Sequence, residues 1–521
     1  MSTITYLEHD HTISVPAQPG DTILSALQAA GITAVDAPCG GNGTCGKCLV
    51  QVTGAVEPPS DGERAKLPEG AGLRLACRCV VRGDCTVHPA GAVSGAVIAS
   101  EGQTVAFPLT PREGLGAAID IGTTTVVLYL YDLATGRRLA LRSGQNKQRA
   151  FGADVISRVN HANTTEGGLE QMTSAIRDQL SGYLRDTCAE AGREPEEVRE
   201  ITVAGNTIME HIFAGLSPSS IAVAPFTPLS LFGDHASGGD CGLPGQVYRF
   251  PCVAGYVGGD ITAGLLSSGA YQSERPVLFL DIGTNGEMGI GNREHFLTCA
   301  TAAGPAFEGA EITCGMSGTD GAVSKVWLED GQLRFSVLGG GTAKGICGSG
   351  LVDALAVMLE LGAVDETGRL LPPDEAEDDV LPYLEETDDD VRFYLDPART
   401  IYLTDGDVRK LQLAKAAVAA GIQTLLIKAG LTEDDVAALY LAGGFGNYID
   451  QNSAAAIGLL PASLLDRIVP VGNSAGMGAV AWLLSDQARS ELDTFLPKCT
   501  YLELSGCPEF NEAYIECMMF E

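Results

Sequence analysis

Two hydrophobic rhythms divide the chain. Up to about residue 90, apolar positions come in short alternating runs. Ile4-Thr5-Tyr6 and Thr12-Ile13-Ser14-Val15 read as a hairpin pair, and Pro19-Gly20 turns the chain into a helix. Asp21 is placed to cap that helix, Ile23, Leu24 and Leu27 give a 3.6-residue stripe, and Gly31 ends it. Strands are predicted over Leu49 to Val52, Leu75 to Val81 and Cys85 to His88. Residues 91–113, rich in Gly, Ala, Ser and Pro without periodicity, read as a linker. From Gly114 onward the rhythm changes to long strands, long helices and glycine turns, the pattern of an α/β unit. Ala117 to Ile121 with Val126 to Asp132 predict a hairpin, and Val277 to Ile282 with Glu287 to Gly291 repeat it. The repeat divides this part into halves, 114–276 and 277–521. Within the second half, the acidic stretch Asp374 to Asp390 reads as a solvated insertion, Leu411 to Ala429 as a helix and Ala437 to Leu441 as a buried strand.

The predicted fold class is therefore α+β and multidomain, with a small β-grasp unit over 1–90 followed by a duplicated α/β unit. Composition supports packed domains: 45% of the 521 residues are apolar and 19% charged, enough apolar surface to offset chain entropy. A net charge of −33 argues against nucleic acid or an anionic membrane as partner. The first residues lack a basic start with an apolar core, and no apolar run is long enough to span a bilayer. The expected location is the cytoplasm. Fifteen cysteines in a chain of this length are too sparse for a secreted disulfide scaffold, and reduced thiols with a metal cluster fit better.

The densest chemistry lies in Ala37-Pro38-Cys39-Gly40-Gly41-Asn42-Gly43-Thr44-Cys45-Gly46-Lys47-Cys48. Three thiols share one glycine-rich loop able to wrap closely around an inorganic core and turn N–H groups toward its sulfides. Cys77, in Arg74-Leu75-Ala76-Cys77-Arg78, supplies a distant fourth. A cluster of three thiolates plus a distant one is what a 2Fe-2S centre requires. Cys79 competes for the fourth place, because a strand would send Cys77 and Cys79 to one face. Arg-Leu-Ala-Cys resembles the ligand-bearing strand of ferredoxins, which favours Cys77. Cys85, Cys299, Cys314 and Cys347 read as structural, and the tail cysteines Cys499, Cys507 and Cys517 as buried thiols.

Asp120-Ile121-Gly122-Thr123-Thr124-Thr125 and Asp281-Ile282-Gly283-Thr284-Asn285-Gly286 are two copies of one turn. Each can bring backbone N–H groups and a small hydroxyl against phosphate oxygens, while the Asp at the strand end faces Mg2+ or its waters. Two copies, followed by Ala442-Gly443-Gly444, resemble the superfamily of acetate kinases, sugar kinases, heat-shock chaperones and actin. That resemblance implies two ribonuclease-H-like halves closing on ATP, with the hairpins on its phosphates and Gly443-Gly444 behind adenosine. Ala204-Gly205-Asn206-Thr207 and Asn473-Ser474-Ala475-Gly476-Met477-Gly478 fall where the superfamily keeps connecting helices, and their small residues suit a close crossing at a hinge. Gly348-Ser349-Gly350 reads as a glycine turn opening a helix whose N–H groups would favour a phosphate.

The fusion of a ferredoxin-type domain with such an ATPase resembles the reductive activators of corrinoid proteins. The resemblance implies ATP-dependent one-electron reduction of a methyltransferase system's Co(II) corrinoid to Co(I). It further implies an upstream electron donor, a corrinoid protein partner and a homodimer. Members with 4Fe-4S centres carry a cysteine-rich tail, and here the tail cysteines stand too far apart for that. Three other readings stay open at this level: an electron-injecting activator of another enzyme, such as a 2-hydroxyacyl-CoA dehydratase, a kinase with a redox-sensing ferredoxin domain, and a ferredoxin-type carrier whose ATPase-like part is only scaffold.

Overall fold

The computed structural model describes residues 2–520 apart from 9–10, 34, 36, 38, 42, 44–45, 68–71 and 90–99. Its N-terminal sheet has five strands, in the spatial order His11–Ala17, Ser2–Glu8, Val81–Pro89, Leu49–Val56, Leu73–Leu75. Ser2–Glu8 runs parallel to Val81–Pro89 while the other pairs are antiparallel, and helix Ile23–Ala29 buries Ile23, Leu24 and Leu27 on the sheet. This is the expected β-grasp arrangement.

Two local expectations change. The helix cap is Thr22, whose hydroxyl accepts from the Ser25 amide while the Ser25 side chain returns a bond to the Thr22 amide. Asp21 instead accepts from the Gln18 amide across the preceding turn. The predicted strand from Leu75 to Val81 is also broken. Leu73–Leu75 ends before a turn through Cys77, and Val81–Pro89 begins after it. Cys77 and Cys79 therefore do not alternate along one strand.

Beyond residue 114 stand two six-stranded sheets of matching plan. In the first, the order is Asp234–Ser237, Gln246–Arg249, Val198–Gly205, Leu115–Ile121, Thr125–Asp132, Arg137–Gln145. In the second it is Ile468–Gly472, Leu439–Ala442, Val277–Ile282, Gly286–Gly291, Phe296–Thr301, Cys499–Tyr501. Each sheet has an antiparallel three-strand meander whose first strand takes a parallel neighbour on its other side. Both first strands are buried almost throughout, as central strands covered on two faces should be. The less buried position near the end of each is the aspartate, Asp120 or Asp281.

A shared core lies between the sheets, with Tyr129, Ala204 and Phe250 of the first half against Phe279, Trp482 and Leu483 of the second. Helix Ser474–Leu484 crosses helix Gly259–Ser268 so closely that a Cβ on Gly478 would stand 2.0 Å from the Ala263 carbonyl oxygen. The Ser267 hydroxyl donates to the Ser474 carbonyl at 2.7 Å. Close crossing is thus found at the glycines of 473–478. Its partner is helix Gly259–Ser268, whereas helix Thr207–Ala214, which follows Asn206, packs within the first half's own core.

Within the segment read as a linker, the described residues belong to the folded body. Residues 100–113 lie along the ATPase-like body, where the Val105 amide donates to Ser267, Thr110 to Leu484 and Arg112 to Leu133. The acidic stretch is likewise folded at its end. Asp388 and Asp389 are exposed at the turn between Leu384–Glu386 and Val391–Tyr394, in a three-stranded sheet completed by Tyr402–Thr404. Of the tail thiols, Cys507 is buried and Cys499 and Cys517 are half-buried. No described helix is long and apolar enough to cross a membrane.

Candidate functional site

The thiol loop shows why it is built from glycine. Gly40, Gly41, Gly43 and Gly46 all have left-handed φ, from +62° to +84°, a conformation that glycine adopts without steric cost. A Cβ on Gly43 would stand 2.1 Å from Arg78 Nε, so the loop and the turn after Leu73–Leu75 close directly on each other. Across that closure the Cys48 and Cys77 sulfurs lie 3.3 Å apart. The hydrogen bond with Cys77 holds the Cys48 thiol below its ordinary value, against burial and the nearby Cys39, which both raise it. Cys79 points instead into the domain core, and burial pushes its thiol up to about 11. Cys85 is raised the same way. Cys45 lies outside the described residues. A loop of left-handed glycines with thiols gathered at its mouth fits a 2Fe-2S centre.

The second site is a cleft of ≈ 230 Å³ between the two halves. Asp120, Gly122, Thr123 and Thr124 line it from the first hairpin, Asp281, Gly283, Thr284 and Asn285 from the second, and Gly443 and Gly444 from the end of Leu439–Ala442. The register brings them together, because Asp281 is the last-but-one residue of its strand and pairs with Ala442, just before the glycines. Gly443, at φ +85°, passes so close that a Cβ would meet Asp281 Oδ1 at 2.3 Å, while Gly444 faces open space.

The cleft is strongly acidic. Burial raises Asp120 to about 7, against the Asn473 side chain, which lowers it, and Asp281 adds to the rise. Asp281 is raised to about 6 by burial, and Asp260 to about 8 by burial and then by the charge on Asp281. Glu287 is held well above the carboxylate range by burial and then by Asp260. One edge of Asp120 and of Asp281 opens into the cleft, yet the protein encloses both carboxyl groups. None of the described lining residues is basic. Enclosed carboxylates without a basic neighbour fit Mg2+ with a phosphate ligand, since a divalent cation restores their ionised form.

Several lining residues were not singled out by the turn motifs. Glu287 sits directly across the hairpin from Asp281, a pairing readable from the strands. Asn206 and Asn473 cap helices Thr207–Ala214 and Ser474–Leu484 and also reach the first hairpin, Asn206 donating to the Thr123 hydroxyl at 3.0 Å and Asn473 to Asp120 at 2.9 Å. Asp260 stands in the first turn of helix Gly259–Ser268, which no motif marked in the sequence. Glu308 and Phe445 complete the wall.

Gly348, Ser349 and Gly350 do not line the cleft. They are buried at the start of helix Gly348–Glu360, the Ser349 hydroxyl donating to the Ser324 carbonyl at 2.9 Å. A Cβ on Gly348 would stand 1.8 Å from the Phe307 carbonyl oxygen and 3.0 Å from the Phe445 ring, so this glycine allows close packing behind the wall.

The sheets, the thiol loop and the cleft define a ferredoxin-type domain fused to an ATPase of the actin-like class. Family models match all three parts: a 2Fe-2S iron-sulfur cluster binding domain over 7–82, the RACo middle region over 115–273, and the C-terminal, ASKHA domain of RACo over 275–521. The corrinoid activation enzyme RamQ of Eubacterium limosum is 36% identical over 417 residues, covering 78% of this chain and 70% of that protein. A [Co(II) methylated amine-specific corrinoid protein] reductase of Methanosarcina barkeri is 24% identical, covering 77% and 76%. A solved structure titled reductive activator for corrinoid, iron-sulfur protein superposes with TM-score 0.70 at 30% identity, covering 100% of this chain and 98% of that one. The chain belongs to the family of corrinoid activation enzymes.

Proposed function

We propose that this protein returns the Co(II) corrinoid of a methyltransferase-system protein to Co(I), one electron at a time, at the expense of ATP. The observation that carries the reading is the joining, on one polypeptide, of the Cys48–Cys77 thiol mouth to an acidic two-hairpin cleft. Cys39, Cys45, Cys48 and Cys77 hold the cluster, which supplies one-electron chemistry near ~−400 mV. Co(I) is a stronger reductant still, so the transfer runs uphill, and each ~59 mV of shortfall corresponds to about 1.4 kcal/mol. Preferential binding of ATP to one arrangement of the halves can offset one or two such steps.

In this reading Gly122, Thr123, Thr124, Gly283, Thr284 and Asn285 bind phosphates and Gly443-Gly444 back adenosine. Asp120 and Asp281 position Mg2+ and the attacking water, with Asn473 orienting Asp120. Closure of the halves over the nucleotide grips the corrinoid protein and alters the cobalt's ligation. The cluster thiols are reloaded by an upstream donor, and two copies of the chain associate.

The test is anaerobic mixing of the dithionite-reduced protein with a Co(II) corrinoid protein while the cobalt spectrum is followed. Co(I) is expected to appear with Mg2+ and ATP and not without them. Reduction at equal rate and extent in the absence of ATP, or none in its presence, overturns the proposal.

A further inference from the structure

Pro305–Glu308 is a single 3-10 turn between Gly304 (φ +77°) and Gly309 (φ +73°). Its ends are held differently. A Cβ on Gly309 would stand 2.5 Å from the Met316 carbonyl oxygen, whereas the same position on Gly304 faces open space. From this turn Phe307 stacks on Phe445 with ring centroids 5.0 Å apart, and Glu308 reaches into the cleft.

There one carboxylate oxygen accepts the Thr124 hydroxyl at 2.6 Å and the other accepts the Thr284 hydroxyl at 2.5 Å. Thr124 belongs to the first half and Thr284 to the second, so one side chain ties the two hairpins together. A threonine hydroxyl has one proton to donate. Both protons are given to Glu308, and both hydroxyls are among those assigned to phosphate oxygens. A carboxylate and a phosphate cannot share them, since the two anions compete for the same donors and repel each other.

We propose that Glu308 is an internal anion that holds the phosphate place between the hairpins and must be displaced by a nucleoside triphosphate. This rests on the ATP reading of the cleft. Displacement also has a route to the redox domain. The segment continues from Gly309 to Gly315, whose carbonyl accepts Lys47 Nζ at 3.1 Å, and Lys47 stands between Cys45 and Cys48 in the thiol loop. The redox domain is also seated on the first half, where Gln28 Nε2 of helix Ile23–Ala29 donates to the Ala150 carbonyl and Gly40 of the thiol loop abuts that of Phe151. Movement of Glu308 is thus felt where the cluster loop is seated.

The test uses the full, cluster-loaded protein and measures binding of a non-hydrolysable ATP analogue with Mg2+, and of ADP with Mg2+, by calorimetry. Glu308→Ala should tighten the analogue by about tenfold, with a smaller gain for ADP. Glu308→Gln, which keeps size and one acceptor oxygen but removes the charge, should tighten it less. In the wild type, amide hydrogen exchange over residues 309–316 and 46–50 should rise when the analogue binds, and in Glu308→Ala it should already be raised without it. Weaker binding in both variants makes Glu308 a metal ligand, and unchanged binding with lost hydrolysis makes it a water-activating base. Either result overturns the displaced-anion role, as does exchange that ignores the analogue. A wild-type protein that binds no nucleotide at all removes the ATP reading itself, and this role with it.

Discussion

At the scale of single residues, the two most similar-looking candidates have opposite environments. Cys77 and Cys79 are two positions apart, yet Cys77 meets Cys48 at 3.3 Å and Cys79 is fully buried with its thiol raised to about 11. A thiolate ligand needs the first setting, and an inert core thiol has the second. Cys77→Ser should therefore abolish the visible charge-transfer bands of the reconstituted protein. Cys79→Ser should keep them while lowering stability by roughly 1–3 kcal/mol, because a hydroxyl replaces a thiol in an apolar core. Absorption spectra and denaturant titration of the two variants check this, and the opposite pattern would exchange the assignments.

At the scale of elements, the cleft is a product of strand ends and glycine turns. Asp281 lies near the end of one strand and Gly443 opens the helix that follows its neighbour, and the two meet because the strands are paired in register through Asp281 and Ala442. Gly443→Ala would place a methyl group 2.3 Å from Asp281 Oδ1 on a residue already at φ +85°. The strain, of order 1–3 kcal/mol, falls on a carboxylate of the cleft. Nucleotide affinity should drop about tenfold or more, with the cluster spectrum unchanged. Calorimetry on the variant decides it, and undiminished affinity would remove Gly443 from the site.

At the scale of the whole molecule, reach matters. The body-bound segment 100–113 leaves only residues 90–99 between the described parts of the two domains. Ten residues span at most roughly 36 Å, which bounds how far Pro89, the end of the ferredoxin domain's last strand, can stand from the anchored segment. Deleting five of them should lower the rate of cobalt reduction while leaving ATP hydrolysis and the cluster spectrum intact. Stopped-flow spectroscopy of the deletion variant tests this, and an unchanged rate would mean that the docked position, with Lys47 on Gly315, is already the one that delivers the electron.

Local patterns alone determined a good deal about this protein. Period-two alternation marked the β-grasp strands, and the repeated Asp-Ile-Gly-Thr turn marked both hairpins, because strand pleat and turn chemistry are properties of neighbouring residues. The thiol loop was legible for the same reason. Only the tertiary structure decided the rest. Asp260 and Glu308 enter the cleft from segments with no shared spacing, Gly348-Ser349-Gly350 leaves it for the packing behind Phe445, and residues 100–113 become a strap. Each of these depends on which surfaces meet when two sheets and their crossing helices pack, a matter of contacts between residues distant along the chain.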